Sequence, residues 1–409
     1  MKTDPLSDSV SEQYARWLYP QPILNLEAWL ADNWQWLDPS HSHRLFWPDR
    51  AYRPDLDILV AGCGTNQAAV LAFTNPHASV VAIDVSQPSL DHHRFLKQKH
   101  ALSNLELRLL PIEEAEKLER TFDLIVTTGV IHHLANPEEG TKALARCLRS
   151  DGVLAIMLYA KYGRVGVEML QEAFREMGLD QSDASVNTVK EALRELSPDH
   201  PVRSYLALAP DLEFDAGLVD TFLHGRERSF TIESCRELVS AADLVFQDLF
   251  FKAPYYPPPP PRSAFFSSIA RLPAEKQFSI MERINFQNAC HFFMACRPER
   301  TPSSYRIDFV SGDTLFYVPS FRHRCGLDGD EIVRPNWRTR LTGQQLSVIQ
   351  RIDGQSTVAE IVESIRREGP QSGAADGRIE AETRAVLEVL WKWDFLQFSI
   401  RRPDKAAVL

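Results

Sequence analysis

Residues 57–65 read Asp57-Ile58-Leu59-Val60-Ala61-Gly62-Cys63-Gly64-Thr65, and their pattern decides the fold. Ile58 to Ala61 form a strand with no polar face, so a sheet must bury it on both sides. Two glycines, one residue apart, end the strand. Without a Cβ the backbone can bend sharply there and approach a ligand closely. A helix is expected over residues 66–74, and the free N–H groups of its first turn face the same ligand. Twenty-two residues after Gly62 a second apolar run, Ser79-Val80-Val81-Ala82-Ile83, ends in Asp84. An acidic residue at that spacing can hold both ribose hydroxyls of a nucleoside.

The same rhythm continues outward. The runs LELRLL, FDLIVTTG and GVLAIMLY alternate with stretches 66–74, 87–100 and 137–149, each long enough for a crossover helix. This alternation predicts an α/β fold with a parallel sheet covered on both faces. After Tyr159 the rhythm breaks. Residues 160–230 read as an insertion with helices near 164–177 and 187–196. A helix then fits 232–242, and strands fit 244–251 and 289–296, a hairpin-like end to the sheet. Between those strands, within a second insertion at about 254–288, prolines 257–261 predict an extended polyproline II surface segment. Residues 1–50 carry many aromatics and one short amphipathic helix around Leu26, Trp29 and Leu30, and read as a lid.

A polar stretch, RTPSS at 300–304, separates a last segment, residues 303–409. Strands are expected at 305–310 and 314–318, followed by three helices and a strand. Thr342 with Gln345 and Thr357 with Glu360 have capping-box spacing, and Gly354 ends the first helix. That is the element order of a winged helix. The segment holds 15 basic and 15 acidic residues, so it lacks the electrostatic footprint of a nucleic-acid binder. Dimerisation, giving a homodimer, or substrate docking is the expected role.

A glycine turn serves NAD, FAD and S-adenosylmethionine enzymes alike. The dinucleotide fingerprint needs a third glycine, but here Asn66 and Gln67 follow. The sequence resembles the class I methyltransferases: VAGCGT and AIDVS resemble their first two motifs, and FDLIVTTGVIHHLANPEEG with LRSDGVLAIMLY their fourth and fifth strands. LVDTFLHGRERSFTIESCRELVSAADLVF and SEQYARWLYPQP resemble stretches of the bacterial, rickettsial-type outer-membrane-protein lysine methyltransferases. The first resemblance covers about residues 55–160, the second about 10–300. Together they imply a Rossmann-like, mostly parallel sheet with an antiparallel final strand, spanning residues 51–300, and S-adenosylmethionine as cofactor, with S-adenosylhomocysteine as product.

The resemblance implies that Gly62, Cys63 and Gly64 pass under the methionine part of the cofactor. Asp84 binds the ribose, Val85 lies beside the adenine, and Pro111 and Ile112 flank it. Thr128 and Gly129 face the methionine and the transferred methyl. Two positions depart from the family pattern: Val60 stands where an acid is common, and Asn66 where a third glycine is. His133 and Tyr159 are the catalytic candidates; Tyr14, Tyr19 and His224 are the substrate-pocket candidates. Arg226 and Arg228 could meet an acidic group. Adjacent His132 and His133 offer no third ligand, so no metal is expected.

The acceptor is a protein lysine or, alternatively, a small aromatic or amine metabolite; a non-catalytic cofactor-binding scaffold is a further reading, resting on Val60 and Asn66. The net charge of −10 argues against nucleic acid or anionic membrane as partner. No apolar signal-peptide core follows the polar first residues, and the scattered cysteines at 63, 147, 235, 290, 296 and 325 read as reduced thiols. The expected compartment is the cytoplasm. Replacing Gly64 by Val should abolish cofactor binding in a folded protein, which titration calorimetry with S-adenosylhomocysteine would read; unchanged binding would move the site elsewhere.

Overall fold

The structure is a computed structural model that describes residues 4–259, 263–335, 337–368 and 376–401. Seven strands, β1 (Asp57–Ala61), β2 (Ser79–Asp84), β3 (Leu105–Leu109), β4 (Phe122–Thr128), β5 (Leu148–Tyr159), β6 (Val245–Leu249) and β7 (Cys290–Cys296), form one sheet in the order β3-β2-β1-β4-β5-β7-β6. β1 to β5 pair in parallel, and β7 runs antiparallel to both β5 and β6. The helices Gln67–Thr74, Gln87–Lys99 and Pro137–Arg146 make the crossovers. The fold is thus the Rossmann-like one, with β7 as its antiparallel strand. From β1 the chain moves outward to β2 and β3, then returns to β4 on the other side. This reversal opens a crevice beyond the carboxyl ends of β1 and β4.

The chain divides into two compact units. The first comprises residues 1–37, 54–249 and 278–299, and holds the sheet. Its insertion after β5 contains more helix than periodicity suggests. Besides Val165–Glu176 and Asp183–Glu195 there are Val202–Leu206 and Asp215–Phe222. The last is buried from Gly217 through Phe222. A helix buried all round has no apolar stripe, which is why its sequence gives no helical signal. Val167, Phe174, Val189, Val202, Leu218 and Phe222 give the insertion a small core of its own.

The second unit comprises residues 38–53, 250–277 and 300–409. Helices Gly343–Ile349, Val358–Glu368 and Asp376–Lys392 pack Val348, Ile349, Ile361, Val362 and Leu387 against Phe395 and Phe398. Both capping pairs form: Thr342 with Gln345, and Thr357 with Glu360. Gly354 adopts a positive φ of 75° after the first helix. β8 (Tyr317–Phe321) pairs antiparallel with β12 (Leu396–Ile400). The expected strand at 305–310 is absent. Asp308 organises a turn there instead, its side chain accepting from the Val310 amide and its carbonyl from the Thr314 hydroxyl. Such local side-chain bonds compete with a ladder. Sequence reading also missed the sheet of β9 (Gly326–Asp328), β10 (Glu331–Arg334) and β11 (Trp337–Arg340). Its signal was Asp328-Gly329-Asp330: Gly329 has φ 60° in a two-residue hairpin loop. Prolines 260 and 261 lie outside the described residues.

The second unit draws on chain segments far from residue 303. The Ile400 amide donates to the carbonyl of Pro48, and Arg44 to that of Gly354. Asp394, almost fully buried, accepts from the backbone amides of Lys252 and Ala253 at 2.9 Å and from Arg322 at 2.6 Å. A chain cut near residue 302 would leave residues 38–53 and 250–277 without these partners. No helix among the described residues is long and apolar enough to cross a membrane, and all six cysteines are free. Asp394→Ala strands the Arg322 charge in a buried site, and should cost about 3–5 kcal/mol of stability in urea denaturation.

Candidate active site

The glycine turn takes its shape from two positive φ angles, Gly62 at 71° and Gly64 at 53°; Gly129, after β4, has a third at 74°. A Cβ at Gly62 would stand 2.4 Å from Cγ2 of Val130, and one at Gly64 would meet Cδ of Pro20 at 3.0 Å. The turn is therefore packed from two sides by parts of the chain that sequence spacing does not connect. Asp84 ends β2, and one of its carboxylate oxygens accepts from the Gly64 amide at 2.9 Å, the other from the Ser86 amide at 2.8 Å. Burial pushes its carboxyl up to about 6, against the pull of these backbone donors.

The two departures from the family pattern have local explanations. Val60 is fully buried. The Asn66 side chain donates to the carbonyl of Gln21 at 2.8 Å and accepts from the Ile23 amide at 2.8 Å. Thr65 donates to the carbonyl of Pro20 at 2.6 Å. A third glycine would give up this two-way clamp. Asn66 thus seats the N-terminal segment over the glycine turn.

A cavity of about 640 Å³ opens beside the turn. Gly62, Cys63, Gly64, Asp84, Val85, Ile112, Thr128, Gly129, His133, Tyr159, Tyr14 and Tyr19 all line it. Of the expected site residues, Pro111 and His224 do not. Pro111 precedes the 3₁₀ turn Ile112–Leu118, and Leu110 lines the cavity beside Ile112. His224 lies behind His133, stacked on it with ring centroids 3.8 Å apart. Gln67 donates to the Thr128 hydroxyl at 3.0 Å, which fixes the end of β4.

The wall opposite the turn was not legible in the sequence. Tyr14 donates its hydroxyl to Asp220 at 2.7 Å, Tyr159 donates to the other oxygen of Asp220 at 3.3 Å, and Tyr19 donates to Asp211 at 2.7 Å. Asp211 and Asp220 come from the insertion, so phenol–carboxylate bonds join it to the N-terminal segment. Asp220 is 1% exposed; burial first, then Glu227, pushes its carboxyl up to about 7, against the hydrogen bond from Tyr14. Tyr159 is gripped on its ring faces by His132, stacked at 3.8 Å, and by the Arg164 guanidinium, 3.7 Å from the ring centre. Arg164 is fully buried and paired with Glu227 at 2.8 Å. Burial opposes its charge, but Glu227, Tyr159 and Tyr205 hold the guanidinium above its ordinary value.

Hydrogen-bond partners fix the histidine tautomers. His133 Nδ1 lies 3.0 Å from the carbonyl of Arg226, so Nδ1 carries the hydrogen and Nε2 the lone pair. His224 Nδ1 accepts from the Arg226 amide at 3.0 Å, so its Nε2 keeps the hydrogen. The fold does bring Asp220 and His224 to His133, with one ligand-type atom of each within 4.8 Å of the others. Yet neutral His224 has no free lone pair to offer a metal, and Asp220 already receives two hydroxyls. Burial lowers His133 to about 3 and holds His224 well below its usual range. Arg226 lines the cavity but is engaged by Asp8 at 2.6 Å and by the carbonyl of His133 at 2.7 Å. The Arg228 amide donates to the carbonyl of His132. Asp8, Asp84, Glu113, Asp211 and Glu213 also line the cavity, so acids outnumber the one tethered cation.

Comparison with known proteins identifies the domain. Residues 59–154 match the family model described as a methyltransferase domain. This stretch is a class I, S-adenosylmethionine-dependent methyltransferase domain. A Synechococcus protein described as uncharacterized is 26% identical over 386 residues, which cover 88% of this chain and 89% of that one. A malonyl-[acyl-carrier protein] O-methyltransferase of Acetivibrio thermocellus is 33% identical over 105 residues, 25% of this chain and 36% of that enzyme. Among solved structures, PKMT2 of Rickettsia typhi, determined in complex with AdoHcy, is similar over 90% of this chain and 76% of its own, at 14% identity and a TM-score of 0.62. That likeness extends the shared fold well past the methyltransferase domain. The cofactor of the class is S-adenosylmethionine, and the donor set fits it: a carboxylate at the end of β2, apolar Val85, Leu110 and Ile112, and a glycine-lined floor.

The Asn66 clamp yields a local test. Asn66→Ala leaves the Ile23 amide and the Gln21 carbonyl without their partner, and should cost on the order of 2 kcal/mol. Amide exchange at Ile23 should accelerate by more than the global stability loss explains.

Proposed function

We propose that the protein methylates an amine, with a protein lysine side chain as the acceptor class, and that the acidic, aromatic wall of the cavity selects it. The observation that carries this reading is the charge of that wall. Glu113, Asp211 and Glu213 face the cavity, while Asp8 and Arg226, the one cation among its described lining residues, pair with each other. A cationic side chain gains from such a field, whereas a carboxylate acceptor is repelled. The O-methyltransferase likeness does not weigh against this, because it covers only 25% of this chain. The similarity to PKMT2 supports the reading at the level of fold.

In this reading Gly62, Cys63 and Gly64 pass under the methionine part of the cofactor, and Asp84 takes the ribose hydroxyls. Val85 and Ile112 hold the adenine, with Leu110 in the neighbouring position expected of Pro111. Thr128 and Gly129 border the methyl position. When bound, the cofactor supplies an electrophilic methyl group that needs no further activation. The chain's task is to hold a neutral amine in line with it. Tyr159, immobilised between His132 and Arg164, meets the amine with its hydroxyl edge. His133, too weak a base at about 3 to keep a proton, packs edge-on against Tyr14 and Tyr159 and helps to hold them. His224 acts by holding His133. The second unit docks the acceptor or a second copy of the chain. The cytoplasm is the proposed compartment.

Incubation with methyl-labelled cofactor and a bacterial lysate, followed by acid hydrolysis, should release methyl-lysine from protein. Label confined to base-labile esters would overturn the amine reading. The cofactor site has its own test. Asp84→Ala should weaken S-adenosylhomocysteine by on the order of 1.5–3 kcal/mol. The ionised carboxylate is the better acceptor for ribose hydroxyls, and the free site titrates at about 6. Wild-type affinity should therefore fall as pH drops through about 6, and Asp84→Asn should bind weakly at every pH.

A further inference from the structure

Asp220 stands behind the cavity wall and does not itself line the cavity. It sits on Asp215–Phe222 and is 1% exposed. Its two oxygens accept from Tyr14, on the N-terminal helix Ser9–Arg16, and from Tyr159, at the end of β5. A phenol has a single hydrogen to donate. Once that hydrogen is committed to a carboxylate, the oxygen can only accept. The ring faces of Tyr159 are taken by His132 and Arg164, and both groups lie too close to the ring centre to share one face. Tyr159 therefore cannot offer a π face to a cation, and only its hydroxyl edge is left to act. The phenol oxygens of Tyr14 and Tyr159, two residues that line the cavity, are thus hydrogen-bond acceptors.

We infer that Asp220 is a positioning residue for methyl transfer: by taking the hydroxyl hydrogens of Tyr14 and Tyr159 it makes both phenol oxygens acceptors for the N–H groups of the incoming amine. The inference rests on the amine reading above. The amine must present its lone pair to the methyl carbon, so its N–H bonds must point away from that carbon. Two phenol oxygens locked as acceptors, on separate elements, can define those directions. A carboxamide at position 220 would break the arrangement, because its NH₂ group donates and turns one hydroxyl around.

Equilibrium binding of two probes to the full chain tests this. S-adenosylhomocysteine carries nothing at the methyl position, whereas sinefungin carries an ammonium there. At a pH of about 8, above the value of about 7 to which burial pushes Asp220, wild type should prefer sinefungin by about tenfold or more, the range of a charge-assisted hydrogen bond. Asp220→Asn should shrink the preference to within about threefold while S-adenosylhomocysteine affinity changes little. Asp220→Glu should restore part of it, and Tyr14→Phe should lose part of it in a protein whose carboxylate is intact. A purely structural role would lower both affinities together and leave their ratio unchanged; that result, or an undiminished preference in both Asp220→Asn and Tyr14→Phe, would overturn the inference. Failure of wild type to bind S-adenosylhomocysteine would instead show that the cofactor reading is at fault, and the inference would fall with it.

Discussion

The site depends on one hydrogen-bonded junction, the Asp84 carboxylate between the amides of Gly64 and Ser86. It ties the turn after β1 to the end of β2, so these two strand ends keep a fixed spacing beside the crevice. The glycines make the turn possible, but the carboxylate holds it. The same carboxylate is buried, at some cost to its charge. In the proposed reading a ligand that donates to it recovers part of that cost, so the frame of the site would also hold the ribose.

A second layer is built on this frame from distant parts of the chain. Asn66 and Thr65 hold residues 20–23 against the turn, and Tyr14 and Tyr19 reach on to carboxylates of the insertion. The position that departs from the usual glycine thereby becomes the attachment point of the N-terminal segment. Outside the sheet, that segment and the insertion together make the wall where the acids and phenols gather.

The histidines illustrate how a fold assigns chemistry. His132, His133 and His224 are of one residue type, yet backbone partners give His133 a free lone pair and leave His224 a proton. Burial removes their capacity to hold charge at neutral pH. Asp220, also buried, moves the other way, toward about 7. The group best matched to neutral pH is therefore a carboxyl rather than a histidine.

The sequence by itself determined the parallel core, its antiparallel ending strand, the glycine turn and Asp84, because each follows from local rules: apolar runs, a missing Cβ, a fixed spacing along one βαβ unit. The capped helices near the C-terminus were legible for the same reason. Tertiary structure alone decided the rest. Helix Asp215–Phe222 is buried from Gly217 onward and leaves no periodic trace, so Asp220 could not be read as a partner of the cavity wall. The partners of Tyr14 and Tyr19 lie about two hundred residues away, and nothing in either segment announces the other. Residues 38–53 and 250–277 pack with residues 300–409 through backbone carbonyls and one buried aspartate, contacts that composition does not encode. Local chemistry can be read along a chain, whereas hydrogen bonds between distant segments exist only once the chain has closed on itself.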